Sequence, residues 1–171
     1  MPTLEPPSQR LKSAFLDMAA EFARDGNSRY VRDAADFEAF LARARDEAAG
    51  QHLAPGTVPM ARFWLVEAGR ILGSSRLRPV LTPELEHEGG HIGYDVRPSA
   101  RRQGFGTTLL RLTLERARAL GLTRVRITCD ADNVGSARVI ENNGGVFDAE
   151  VPSRHRAATI RQYWVELGGA P

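Results

Sequence analysis

The chain has 171 residues, 42% of them hydrophobic and 26% charged, with a formal net charge of +2. That balance suits one globular domain over 1–171 with room for a sizeable core, and the small excess of arginine gives no electrostatic footprint for a nucleic-acid partner. There is no apolar run of about 18 residues and no secretory h-region at the start, and a single cysteine, Cys129, excludes an internal disulfide; the expectation is a cytoplasmic protein with no membrane partner.

Residues 1–8 are proline-rich and expected to be disordered. Leu11, Phe15, Met18, Ala19 and Phe22 recur at helical spacing, which predicts a first helix ending near Gly26. Asp33 is expected to cap a second helix carrying Phe37, Phe40, Leu41 and Ala44 and ending before Gly50. After a Pro-Gly loop at 55–59, two short apolar strands at 62–68 and 70–77 are joined by a tight turn at Gly69. Residues 79–90 read as a polar, acidic connection. A strand at 91–96, a helix at about 104–120 and a strand at 123–129 form a βαβ unit, the helix showing Gly106, Leu110, Leu114, Ala117 and Leu120 on one stripe and an Arg111–Glu115 pair elsewhere. A helix at 133–142 and strands at about 145–150 and 158–167 complete an α/β protein with a mixed sheet, with no repeat and no linker.

The stretch from Val96 to Thr107, V-R-P-S-A-R-R-Q-G-F-G-T, carries the most chemistry. It runs from a strand end through a basic, glycine-punctuated turn into a helix. Such a turn leaves several backbone N–H groups unpaired and aimed at one point, at the positive end of a helix dipole. That is a cradle for a phosphate or pyrophosphate. Gly104 and Gly106 have no Cβ to hold a ligand off the main chain, and Arg101 and Arg102 add charge at the rim. A P-loop would need Lys and then Ser or Thr after the last glycine, but Thr107 and Thr108 stand there and the only lysine is Lys12. A dinucleotide fingerprint would need a third glycine where Leu109 stands.

The pattern Arg101-x-x-Gly104-x-Gly106 resembles the coenzyme A pyrophosphate loop of the GCN5-related N-acetyltransferases (GNAT), with Val96 at the position that ends their fourth strand. The segment Asn133 to Gly145 looks like the last helix of that family, with Asn133 opening it and Ser136 three positions on; Asn133 is equally well read as an N-cap. The combination H-I-G-Y-x-V-R-P-S with I-E-x-N-G-G is similar to a bacterial subgroup described as predicted acetyltransferases. The resemblance implies a mixed, mostly antiparallel central sheet, helices on both faces and a V-shaped opening between strands 4 and 5. It implies acetyl-CoA as cosubstrate, no metal, and coenzyme contacts from Asp95, Val96, Arg101, Arg102, Gln103, Gly104, Phe105, Gly106, Thr107, Asn133 and Ser136. It also implies direct acetyl transfer to a small-molecule or peptide amine, the backbone N–H of Val96 polarising the thioester carbonyl.

One departure stands out. Many family members carry a tyrosine seven residues after the asparagine, which protonates the departing thiolate, whereas position 140 here is Ile140. Water can serve a leaving group whose pKa is already near 8–9, so two main readings stay open, an acetyltransferase or an acyl-CoA-binding module without turnover, with a nucleotide-phosphate binder as a third. Candidate bases lie before and on the fourth strand, His91 first and Glu88 second, with Glu86 and His87 more in keeping with a solvated loop. The acceptor side is expected near the loop at 150–158, with Arg154, His155 and Arg156 as a basic rim hinting at a carboxylate or phosphate on the acceptor. Trp64, Arg76, Tyr163 and Trp164 are candidate cleft residues, the two tryptophans favoured as core. Monomer and homodimer both remain open.

Overall fold

The computed structural model describes residues 1–168. In chain order it contains β1 (Thr3–Glu5), α1 (Lys12–Arg24), α2 (Val31–Ala35), α3 (Phe37–Ala49), β2 (Ala61–Glu67), β3 (Arg70–Leu77), α4 (Pro83–His87), β4 (Ile92–Val96), α5 (Phe105–Ala119), β5 (Arg124–Asp130), α6 (Val134–Glu141), β6 (Gly145–Pro152) and β7 (Thr159–Glu166). The strands form two antiparallel ladders, β1-β2-β3-β4 and β5-β7-β6. The architecture is α/β, with antiparallel sheets flanked by helices.

Most of the expected elements form within a residue or two of their predicted ends. Four local readings change. Thr3–Glu5, expected to be disordered, pairs with Trp64–Val66 of β2, and Leu4 packs on Leu65, Leu72 and Leu109. The cap of the second long helix is Asp36, not Asp33: the Asp36 carboxylate accepts the Ala39 N–H at 3.0 Å, while Asp33 sits in the separate short α2 and takes Arg43 at 2.5 Å. The connection at 79–90 holds α4, begun by Thr82 and Pro83, a capping residue followed by a pre-set first turn. Leu120 ends the stripe of α5 outside the core, 59% exposed, and Thr113 takes a buried place on that face by bonding the Leu109 carbonyl at 2.8 Å.

Helices cover both faces of the first ladder because β2 alternates. Trp64 points to α1 and α3, where its ring stacks on Phe15 at 5.1 Å and Phe15 stacks on Phe40 at 5.1 Å. Leu65 points the other way, to Leu109 of α5. A third apolar cluster, including Leu110, Leu114, Ile127, Ile140 and Tyr163, joins α5 and α6 to the second ladder. The two ladders adjoin at β4 and β5, which are not neighbours in either one.

Candidate active site

Between β4 and β5 the described backbone shows one interstrand bond, from the His91 N–H to the Arg126 carbonyl at 2.8 Å. The return contact comes from a side chain: the Arg126 N–H donates to Nδ1 of His91 at 2.8 Å. Gly90 makes this close approach possible, since a Cβ there would lie 2.4 Å from the Arg126 carbonyl oxygen and its φ is +64°. Beyond His91 the strands form no ladder. On its other side β4 pairs with β3, and the Arg97 N–H reaches the Leu72 carbonyl at 2.9 Å. Because strand amides alternate in direction, the N–H groups of Tyr94 and Val96 face the open seam.

Past Val96 the chain turns into α5. Arg102 holds φ +58° and Gly104 φ +81°, both left-handed. No side chain caps α5, and Thr108 is bonded back to the Gly104 carbonyl at 3.1 Å, so the Phe105, Gly106 and Thr107 amides precede the first intrahelical acceptor. Gly106 has a different job from Gly104: a Cβ there would sit 3.2 Å from Val139 and 3.4 Å from Val96, so it brings α5 against α6 and β4, whereas nothing lies within 4 Å of a Cβ on Gly104. The turn is tied down from behind. Buried Arg97 bonds Asp17 and Glu21 of α1 at 2.5 Å, and the other oxygen of Glu21 accepts the Ser99 N–H at 2.6 Å. Burial opposes ionisation of Glu21, yet the Ser99 amide and Arg97 outweigh it and hold the carboxyl below the usual glutamate range. Arg101 crosses to Asp25 at 2.9 Å and donates to the Val96 carbonyl at 3.3 Å.

A cavity of about 640 Å³ spans this region, lined by Asp95, Val96, Arg101, Arg102, Gly104, Gly106, Thr107, Asn133, Ser136 and residues of α1 and α6. A second cavity, about 420 Å³, opens on the other side of the seam and includes Arg29, Arg76, Arg78, Glu88, Asp130 and Arg156. Tyr94, Asp95, Asn133 and Ser136 line both. At this junction the Tyr94 hydroxyl lies 2.8 Å from Oγ of Ser136, and burial pushes its pKa above the ordinary tyrosine value, so it stays protonated. Asp95 turns one oxygen to three donors: Oδ2 accepts from Arg29 at 2.9 Å, Tyr30 at 3.2 Å and Arg76 at 3.2 Å. Its Oδ1 takes no protein donor among the described residues.

The remaining candidate positions are spread more widely. Asn133 accepts the Ser136 N–H at 3.0 Å as the N-cap of α6 while lining both cavities. Gln103 turns its amide onto the Ser99 carbonyl at 2.9 Å, and the Phe105 ring packs into the core beside Leu109, so only their backbones face the turn. Glu88 lines the second cavity, accepting from Ser153 at 2.8 Å, with Arg156 at 3.6 Å. His91 lines neither cavity; burial lowers its pKa, and Nδ1 is occupied by the Arg126 amide. Ile140 is fully buried, and Cys129 lines the second cavity with burial raising its thiol pKa. Of the proposed acceptor residues, Arg76 and Arg156 line that cavity; Trp64 and Tyr163 are core, and the Trp164 ring has the guanidinium groups of Arg124 and Arg126 over it at 4.3 and 4.4 Å. Sequence reasoning missed Arg29, Tyr30 and Arg78, which come from loops and strand ends with no local motif.

The GNAT acetyltransferase domain model matches residues 3–146. The chain belongs to the GNAT acetyltransferase family. No curated protein matches it. Among solved structures it is similar to yncA from Salmonella typhimurium, determined with acetyl-CoA, at TM-score 0.67 and 16% identity over 97% of this chain and 94% of that one. RimJ from Mycobacterium smegmatis, in complex with CoA-disulfide, gives TM-score 0.73 and 18% identity over 95% and 80%. A spermidine N-acetyltransferase chimera of SpeG from Vibrio cholerae and hSSAT gives 0.64 and 12% over 97% and 95%. At these identities the likeness establishes the GNAT fold. No helix among the described residues is long and apolar enough to cross a membrane.

Proposed function

We propose that this GNAT protein is an acetyl-CoA-dependent N-acetyltransferase that passes the acetyl group directly to an amine. The observation that carries this reading is the meeting of two cavities at Tyr94, Asp95, Asn133 and Ser136, one of them bordered by the uncapped start of α5. Acetyl-CoA fits the first cavity by its chemistry: its pyrophosphate suits the free amides of Phe105–Thr107 and the arginines beside them, and structural relatives were solved with acetyl-CoA or CoA-disulfide. The thioester, once bound, is already activated for acyl transfer and requires neither metal nor covalent enzyme intermediate.

The chain then has five tasks. The amides at 105–107, with Arg101 and Arg102, fix the diphosphate. The Val96 N–H, facing the seam, stabilises negative charge developing on the carbonyl oxygen, a contribution worth roughly 3 kcal/mol for a well-placed donor. Oδ1 of Asp95 orients the acceptor nitrogen, and Glu88 takes its proton through water. Tyr94, held by Ser136, gives a proton to the departing thiolate, standing in for the tyrosine absent at Ile140. His91 closes the seam and leaves proton transfer to Glu88. Acceptor identity rests on the second cavity, whose size suits a small amine or the end of a peptide.

Thiol release measured with acetyl-CoA against a panel of amines tests this. Turnover with at least one class of amine is expected. Tight acetyl-CoA binding with no thiol release from any amine would favour a coenzyme-binding module instead.

A further inference from the structure

The second cavity is lined by four arginines and three carboxylates. Arg29 and Arg76 share Asp95, and Arg156 is held by Asp130 and Glu88. Arg78 has no carboxylate partner among the described residues; its only side-chain bond is to the Gly90 carbonyl at 3.2 Å. Arg76 is also incompletely used. Its guanidinium lies flat across Gly93, where a Cβ would come within 3.0 Å of it, and its Nε is buried with no hydrogen-bond partner. Buried donors are almost always matched, so the bare Nε of Arg76, beside an Arg78 that has no carboxylate partner among the described residues, points to a missing anion.

Their placement is regular. Ser74, Arg76 and Arg78 alternate onto one face of β3, the face that carries Asp95 and Gly93 on β4 through the pairs Ser74–Asp95 and Arg76–Gly93. Charge therefore runs outward from the junction as one carboxylate followed by two arginines. Burial and repulsion from Arg76 and Arg62, only partly offset by attraction from Glu47, bring the Arg78 pKa down to about 10, which still leaves it cationic at neutral pH. From Val96 to Gly93 is three strand residues, roughly 10 Å.

Resting on the acetyltransferase reading, we infer that the acceptor is an aliphatic amine carrying a carboxylate or phosphate, its anion bound by Arg76, roughly 10 Å along β4 from Val96, and by Arg78 beyond it. Asp95 receives the amine end and the arginines receive the anion, so a simple alkylamine leaves Arg76 Nε and Arg78 without one.

The test uses the full-length protein, acetyl-CoA and three matched series: ω-amino carboxylates, aminoalkyl phosphates and unsubstituted alkylamines of the same chain lengths. Thiol release should give kcat/KM at least tenfold higher for one of the two anionic series than for the alkylamines, and which series wins identifies the anion. In Arg78→Gln that selectivity ratio should fall at least tenfold, towards one. Equal use of charged and uncharged amines by the native protein, or an undiminished ratio in Arg78→Gln, overturns the inference. Calorimetry of the same amines into the CoA-saturated protein provides a second readout that needs no turnover, and absence of any preference for the anionic series there also overturns it. Acetyl-CoA titrated in parallel separates the two levels: failure of the native protein to bind it removes the acetyltransferase reading itself, whereas normal binding without anion preference removes only this inference.

Discussion

The hydroxyl of Tyr94, on β4, lies 2.8 Å from Oγ of Ser136, on the first turn of α6, and so joins the two sides of the seam at the one place where both cavities are open. The contact makes α6 part of the site and gives a proton donor a fixed direction. The position where the resemblance places the family's tyrosine is occupied by Ile140, whose side chain is wholly within the core, so a donor supplied by the protein comes from another element.

Tyr94→Phe is expected to lower kcat by about 10²-fold, the scale of a lost general acid, with a smaller change in KM. Loss of one partly buried hydrogen bond should cost about 1 kcal/mol of stability. Stopped-flow thiol release and urea unfolding measure the two effects separately. A rate loss that merely tracked the stability loss would remove Tyr94 from proton transfer.

His91 gives a prediction on stability and pH. Burial lowers its pKa in the folded protein below the ordinary 6.5, so the unfolded chain binds its proton first as pH falls. Stability linked to His91 is therefore fully present above about pH 6.5 and declines on acidification towards the folded-state value. Urea unfolding at pH 7.5 and 5.5 should show this decline in the native protein and a smaller one in His91→Ala. The variant itself should lose about 1–3 kcal/mol at pH 7.5, because the Arg126 N–H is left without its acceptor. An equal acid response in both proteins would contradict the role of His91 in closing the seam.

The start of α5 is legible in the sequence because its chemistry is local: Gly104, Gly106 and the absence of a capping side chain can be read from a few consecutive residues. The helices and strands are legible for the same reason, through the spacing of residues such as Phe15, Leu110 and Ile127. What escapes is long-range or unusually short. β1 exists only because β2 offers an unpaired edge to Thr3–Glu5, and α4 is a single turn set by Thr82 and Pro83. The Asp95 cluster draws on Arg29, Tyr30 and Arg76, up to 66 residues away along the chain, and no local spacing reveals it. His91 looks like a base because histidine titrates near neutrality; only the fold shows that a backbone amide occupies its Nδ1.

Titration of ¹⁵N-labelled protein with acetyl-CoA, followed by amide NMR, tests the central claim most directly. The account predicts that the Phe105, Gly106 and Thr107 amides shift most and that ATP at the same concentration leaves them nearly in place. Gly104→Val, which forces a β-branched residue into φ +81° at the helix start and should cost about 1–2 kcal/mol in strain, is predicted to weaken binding and shrink those shifts. Acetyl-CoA binding that leaves the three amides unmoved, or no binding at all, would contradict it.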